Sequence, residues 1–340
     1  MLGVVVPCNN ETAVLPRFHA RLAAAMDGLG QDWTVTYVND GSTDATLATL
    51  ETLQRGDARI GVLNLSRNFG KEIATTAGLD HCPGEAVIVI DADLQDPPEL
   101  IPALVARWRE GFDTVYAQRR ARHGETWLKR TTAAMFYRLM QNSRQVRLPP
   151  DVGDFRLMSR RVVDAVLRLR EQHRFMKGLF AWVGFSTAAV PYDRAARAAG
   201  QTSWSYWRLW NLAVEGITGF TVLPLKLATY LGLLVAAGAI AYGGTVIVKT
   251  MVFGNPVPGY PSLLTVILFL GGVQLVTLGV IGEYLGRIFN ETKGRPLYLV
   301  ERHAPPQNYV ERHAPPQTYV ERHAPPQDHS ERQAPPRVPN

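Results

Sequence analysis

Two uncharged runs near the end of the chain constrain it most. Leu227–Val248 has 22 residues and Leu263–Ile281 has 19, and neither contains Asp, Glu, Lys or Arg. At about 1.5 Å per helical residue, each reaches across a hydrocarbon core of roughly 30 Å. The connector Thr250–Ser262 is also uncharged and holds Gly254, Pro256, Pro258, Gly259 and Pro261, so it reads as a short turn. The flanks Arg208, Lys226, Arg287, Lys293 and Arg295 are basic, with Lys249 at the far end as the exception. By the positive-inside rule, the head and the C-terminus face the cytoplasm in a multi-pass protein of the cytoplasmic (inner) membrane. The competing reading is two buried helices of a soluble domain. Both runs have bilayer length, which favours the membrane. Neither carries a charge before Glu283, which argues against a transporter.

The first 205 residues have a different texture. Short apolar runs at Leu2–Pro7, Trp33–Val38, Ile60–Leu65, Ala86–Ile90 and Asp113–Ala117 alternate with helix-like stretches near 12–28, 43–55, 70–80 and 97–110. That alternation predicts an α/β fold with a mainly parallel sheet covered on both faces. Ligands in such sheets sit beyond the C-terminal strand ends. Polar clusters fall there: Cys8–Glu11, Asn39–Ser42 and Asp91–Asp93. Segment 127–147 mixes Trp127, Leu128, Met135, Phe136, Leu139 and Met140 with five basic residues. Segment 204–217 holds Trp204, Tyr206, Trp207 and Trp210 in a similar context. Both fit helices lying in a membrane interface, and both also fit ordinary core-packed helices.

The net charge of +6 suits anionic lipid, phosphorylated substrates or nucleic acid. No zinc-ligand spacing or long basic block supports nucleic acid. Cys8 and Cys82 are the only cysteines and suggest neither a disulfide framework nor a metal site. The chain opens on a strand-like run, so no signal peptide is expected. From Val300 a ten-residue unit repeats at Val310, Val320 and, degenerately, Ser330, with two prolines each. Such units lack the apolar content for a core, so residues 300–340 read as a disordered tail beyond a cytoplasmic extension at 287–299.

The strongest local chemistry is Asp91-Ala92-Asp93 after a buried strand. In an extended segment, residues i and i+2 point the same way. Two converging carboxylates repel unless a cation joins them. A divalent ion bridging to a diphosphate meets that need, and hard oxygen ligands suit Mg²⁺ or Mn²⁺. Asn39–Asp44 reads either as a capped strand–helix junction or as a contact from Asp40 to a base or ribose. No dinucleotide glycine fingerprint or P-loop is present.

Taken in order, Pro7–Glu11, Asn39–Asp44, Ser66–Glu72, Asp91–Glu99 and Gly153–Arg156 resemble family 2 glycosyltransferases with a GT-A (Rossmann-like) fold. More narrowly, they resemble polyprenyl-phosphate (undecaprenyl or dolichyl phosphate) glycosyltransferases with two C-terminal transmembrane helices. The resemblance covers about residues 1–298. It implies a catalytic domain over 1–205, a juxtamembrane helix over 206–224 and the two spans over 225–286. It implies that Pro7, Asn9, Glu11, Asp40, Lys71, Asp91, Asp93 and Gln95 hold the nucleotide-sugar, with the metal on Asp91 and Asp93. Arg119, Arg122, Arg156, Arg197 and Ser203 would meet the diphosphate and the acceptor phosphate. Asp154 matches a proposed base, and Asp154, Asp93 and Arg156 form the implied catalytic set. A phosphate monoester is mostly dianionic at neutral pH, so Asp154 reads equally as an orienting group. Cys8 and Asn10, and Trp204 directly after Ser203, depart from the usual wording of the family.

The expected reaction is inverting transfer of a hexose, with UDP-glucose the first choice, to undecaprenyl or another polyprenyl phosphate at the cytoplasmic membrane face. GDP-mannose, UDP-N-acetylhexosamine and UDP-aminoarabinose derivatives are the alternative donors. A processive synthase is disfavoured because no Gln-X-X-Arg-Trp string occurs. A non-catalytic scaffold binding nucleotide-sugar or lipid is the rival of another class. A homo-oligomer and a downstream flippase are open partners.

Overall fold

The computed structural model describes residues 1–120, 152–172, 174–193, 223–253 and 259–309. Among them are eight strands: β1 (Leu2–Cys8), β2 (Trp33–Asn39), β3 (Ile60–Leu65), β4 (Ala86–Val89), β5 (Thr114–Arg119), β6 (Val152–Ser159), β7 (Thr187–Tyr192) and β8 (Val300–Ala304). They form one sheet in the order β7-β5-β6-β4-β1-β2-β3-β8. β1 pairs in parallel with β2 and β4, β2 with β3, and β5 with β7. β6 runs antiparallel between β4 and β5. The expected parallel half is present, and the whole sheet is mixed.

The helices are α1 (Leu15–Asp27), α2 (Thr46–Gly56), α3 (Lys71–His81), α4 (Ile101–Arg109), α5 (Arg160–Leu167) and α6 (Met176–Trp182), then the long α7 (Leu223–Phe253) and α8 (Tyr260–Thr292). Alternation along the strands builds a core on each face. Val4 and Val6 of β1 pack with Phe18, Leu22 and Tyr37, whereas Val5 packs with Leu79, Met158 and Val162. Gly78 lets α3 lie close to the sheet: a Cβ there would come within 2.3 Å of Val5 Cγ1.

The tail reading needs correction at its first unit. Residues 300–304 are a strand, antiparallel to β3, and not disordered chain. An edge strand needs no core of its own. It borrows backbone partners from β3, and Val300 packs onto Val38, Leu63 and Leu65. Residues 310–340 lie outside the described residues, as do segments 127–147 and 206–222.

α7 and α8 are longer than the runs that predict them. Each is long and apolar enough to cross a membrane, over Leu227–Thr245 and Phe269–Thr292. Their apolar side chains are exposed, as at Leu233 and Leu275. The end of α8 meets the α/β head: Gln172 donates its backbone N–H to Glu291 Oε1 at 2.7 Å. Its side-chain amide donates to the Arg295 carbonyl.

Candidate active site

The site grows from the turns after β1, β2 and β4. The first two are stitched together. Asn9 Nδ2 donates to the Asp40 carbonyl at 2.7 Å, and the Asn10 N–H to Ser42 Oγ at 3.0 Å. The Glu11 N–H donates to Thr46 Oγ1 at 2.9 Å. Asn10 has φ 58°, a left-handed conformation that asparagine tolerates better than most residues. Pro7 sits on β1 opposite Val38. Asp40 is buried, and its carboxylate accepts the backbone N–H groups of Phe69 at 2.7 Å and Gly70 at 2.9 Å. Burial pushes its carboxyl up, against those two donors. Asp40 therefore grips the turn that delivers Lys71, the first residue of α3.

Register explains the next contact. Antiparallel pairing sets Val89 of β4 opposite Arg156 of β6. Continuing that register by two residues brings Asp91 opposite Asp154. Lys71 Nζ lies between them, 2.6 Å from Asp91 Oδ2 and 2.6 Å from Asp154 Oδ2. Partial burial disfavours the ammonium, which still keeps some contact with solvent, but the two carboxylates outweigh it and hold the Lys71 pKa well above its ordinary value. Asp154 shows the reverse balance: burial opposes its charge, yet Lys71 and then Lys177 hold it well below the carboxylate range. Asp91 is raised by burial, with Lys71 opposing. The second oxygen of Asp154, Oδ1, is buried and finds no hydrogen-bond partner among the described residues.

Asp93 is placed differently from the extended-strand expectation. β4 ends at Val89 and residues 92–96 turn, with Leu94 at φ 59°. Asp93 Oδ1 accepts the Gln95 N–H at 3.0 Å. The i, i+2 argument therefore does not apply here, because the chain leaves the extended conformation first. Among the described residues no three His, Cys, Asp or Glu side chains form a metal cage. A pair of carboxylates still fits a hard divalent ion that takes further oxygens from a diphosphate and water.

Arg156 is 4% exposed. Its Nη2 donates to the Gly153 carbonyl at 2.9 Å and its Nε to the Asp154 carbonyl at 3.3 Å, while the guanidinium lies 3.9 Å over the Phe180 ring. Burial pulls its pKa down to about 10. At least two of its nitrogens thus support the strand that carries Asp154. Arg119 Nε reaches the Tyr192 hydroxyl at 3.4 Å, and that hydroxyl donates to buried Asp96. Arg122, Arg197 and Ser203 lie outside the described residues.

Several site residues had no assigned role from sequence. Glu72 accepts the Met176 N–H at 3.0 Å and is pushed up to about 7, first by burial and then by Asp154. It closes the Ser66–Glu72 string, which was its only signal. Arg174 is 6% exposed, and its Nε and Nη2 find no partner among the described residues. A cavity of about 200 Å³ lies here, lined by Gly70, Lys71, Glu72, Gln172, Arg174 and Phe175. Tyr192 and Arg174 carried no local motif.

Comparison with known proteins gives a consistent picture. The pattern described as Glycosyl transferase family 2 matches residues 3–167, and that of a GtrB C-terminal hairpin matches residues 223–288. An uncharacterized glycosyltransferase of Synechocystis sp. is 54% identical over 299 residues, covering 88% of this chain and 94% of the relative. The SfII prophage-derived bactoprenol glucosyl transferase of Shigella flexneri is 48% identical over 301 residues, covering 88% and 97%. Among solved structures, glucosyl-3-phosphoglycerate synthase from Mycobacterium tuberculosis, in complex with Mn²⁺, UDP-glucose and phosphoglyceric acid, aligns at 22% identity and TM-score 0.43. That alignment covers 63% of this chain and 76% of the other.

Proposed function

Since the chain belongs to the family 2 glycosyltransferases, in the branch with a C-terminal hairpin of two apolar helices, we propose that it transfers glucose from UDP-glucose to the phosphate of a polyprenyl lipid. The observation that carries this is 48% identity across 97% of the Shigella flexneri bactoprenol glucosyl transferase. The head over 1–205 holds the site, the segments 127–147 and 206–224 lie in the membrane interface, and 225–286 spans the bilayer. The head faces the cytoplasm, as the basic flanks argue.

The donor nucleoside rests on the stitched turns of Pro7, Asn9, Glu11 and Asp40. Its diphosphate meets Lys71, Asp91, Asp93 and Gln95. Asp91 and Asp93 would hold Mg²⁺ or Mn²⁺, which when bound neutralises charge on the leaving diphosphate. Arg119, Arg122, Arg197 and Ser203 supply donors for the phosphates.

The acceptor phosphate oxygen attacks the anomeric carbon from the side opposite the leaving UDP. One displacement inverts the configuration, so an α-linked donor gives a β-linked product. The acceptor is already dianionic near neutral pH, its second pKa being about 6. A carboxylate held as acidic as Asp154 is a weak proton acceptor. Its place beside Lys71 instead suits it to aim the ammonium at developing negative charge. Arg156 fixes the backbone of Asp154 and adds positive charge behind it.

A donor panel tests the assignment. Detergent-purified protein is incubated with undecaprenyl phosphate, Mg²⁺ or Mn²⁺, and UDP-glucose, UDP-N-acetylglucosamine, UDP-galactose or GDP-mannose. Glycolipid is expected with UDP-glucose and absent in Asp93→Ala. Glycolipid from another donor alone would overturn the glucose assignment.

A further inference from the structure

We infer that the first tail repeat is a positioning element of the donor site, and that the repeats at Val310 and Val320 are spare copies of it. The inference rests on the nucleotide-sugar reading for its kinetic part only.

Docking of the first repeat is specified by side chains as well as backbone. β8 closes the β3 edge, pairing Ala304 with Val62, His303 with Leu63 and Arg302 with Asn64. Gln54 Nε2 donates to the Ala304 carbonyl at 3.0 Å, Arg302 pairs with Glu51 at 2.6 Å, and the Gln307 N–H donates to the Ala58 carbonyl at 2.9 Å. The His303 ring lies 4.7 Å from that of His81. Pro306 is buried over Gly61, where a Cβ would stand 2.7 Å from Pro306 Cδ.

One contact leads into the site. Glu301 Oε2 accepts from Asn64 Nδ2 at 3.0 Å, and Asn64 Oδ1 accepts from Asn39 Nδ2 at 2.7 Å. Asn39 Oδ1 accepts from Ser42 Oγ at 2.5 Å, and Ser42 Oγ accepts the Asn10 N–H at 3.0 Å. Asn64 and Asn39 are 7% and 2% exposed. Networks of this kind orient each member through its neighbours, and a missing acceptor leaves a buried amide unsatisfied. β3 also runs directly into the turn that Asp40 grips. The tail strand thus braces both turns around the proposed nucleoside site.

The docking residues recur. Val-Glu-Arg-His-Ala-Pro-Pro-Gln stands unchanged at 300–307, 310–317 and 320–327. Shifting the tail by ten residues presents the β3 edge with the same glutamate, arginine, histidine, proline and glutamine. The spare copies are tethered to the edge they fit, so their effective concentration there is high. Looping out twenty residues costs little more than looping out ten. The edge is therefore a β-augmentation site with three copies of the same docking sequence on its own chain, the first of them seated as β8.

The test uses the full chain and two readouts: amide hydrogen exchange of β3, and KM and kcat with UDP-glucose and undecaprenyl phosphate. Replacing residues 300–307 by a Gly-Ser stretch should leave β3 protection and donor KM within about twofold of the parent, because the copy at 310 docks. Replacing all three copies should cut β3 protection at least tenfold and raise donor KM about fivefold with kcat unchanged. Equal losses in both variants would overturn the spare copies. Lost protection with an unchanged KM would overturn the positioning role. Point variants guard against misfolding. Glu→Ala at 301, 311 and 321 together should raise KM, and Glu→Gln at the same positions should restore it, because the amide oxygen still accepts from Asn64. Equal behaviour of the Ala and Gln sets would also overturn the positioning role. Absence of turnover in the parent itself would count against the glucosyl reading and leave the exchange result standing.

Discussion

Replacing Lys71 by methionine keeps the reach of the side chain and removes its charge. Two charge-assisted hydrogen bonds of 2.6 Å disappear, one to Asp91 and one to Asp154. Such bonds contribute about 1.5–3 kcal/mol each. Lys71 is 43% exposed, so solvent screening places both at the lower end. Turned toward the leaving diphosphate, as proposed above, the same ammonium contributes about 3 kcal/mol to the transition state, so at about 1.4 kcal/mol per decade its removal costs on the order of 100-fold in kcat/KM. Lys71→Arg keeps the charge and should recover part of the rate. The assay is initial rate of glycolipid formation, with thermal denaturation in detergent to show that the variant folds. A folded Lys71→Met protein within threefold of the parent in kcat/KM would refute the clamp.

Asp40→Asn can accept only through its single carbonyl oxygen, so one of the Phe69 and Gly70 N–H groups faces an amide NH₂. The expected loss is about 1–3 kcal/mol of stability with a raised donor KM, read by denaturation and steady-state kinetics. Gly78→Ala drives a methyl into Val5 and should cost about 1–3 kcal/mol, seen as a lower Tm. Asp113 is held below the usual carboxylate range by Arg161 first, with Ser186 and Ser159. A depressed folded pKa stabilises above the unfolded value of about 3.9 and is lost as pH falls through the folded value. The Tm gap between the parent and Asp113→Asn should therefore be widest above about pH 4 and shrink below it. A gap constant from pH 7 to 3 would contradict that.

The parallel half of the sheet was legible because its strands are apolar runs that end in polar turns. Ile60–Leu65 has the predicted bounds, and β1, β2 and β4 differ from them by one residue at one end. β6 was not legible as a strand. Asp154 and Arg156 interrupt its apolar pattern, and both are functional candidates. β7 is a short run with Ala188, Ala189 and Pro191, too weak a signal alone. β8 hid in a proline-rich repeat because composition measures the capacity to form a core, and an edge strand needs none. The same gap explains the site. Asp91 and Asp154 are 63 positions apart in sequence and meet only because β6 inserts antiparallel beside β4. No periodicity in the sequence announces that insertion. The resemblance singled out Lys71, but its position between the two carboxylates follows from β6.

The central claim is a single displacement that joins glucose to a lipid phosphate. The measurement that tests it most directly is ¹H and ³¹P NMR of the lipid product made from UDP-glucose and undecaprenyl phosphate by the purified protein. The account predicts a β-linked glucosyl phosphodiester with one phosphorus per lipid. An α-linked sugar, or a lipid diphosphate formed by transfer of sugar phosphate, would contradict it.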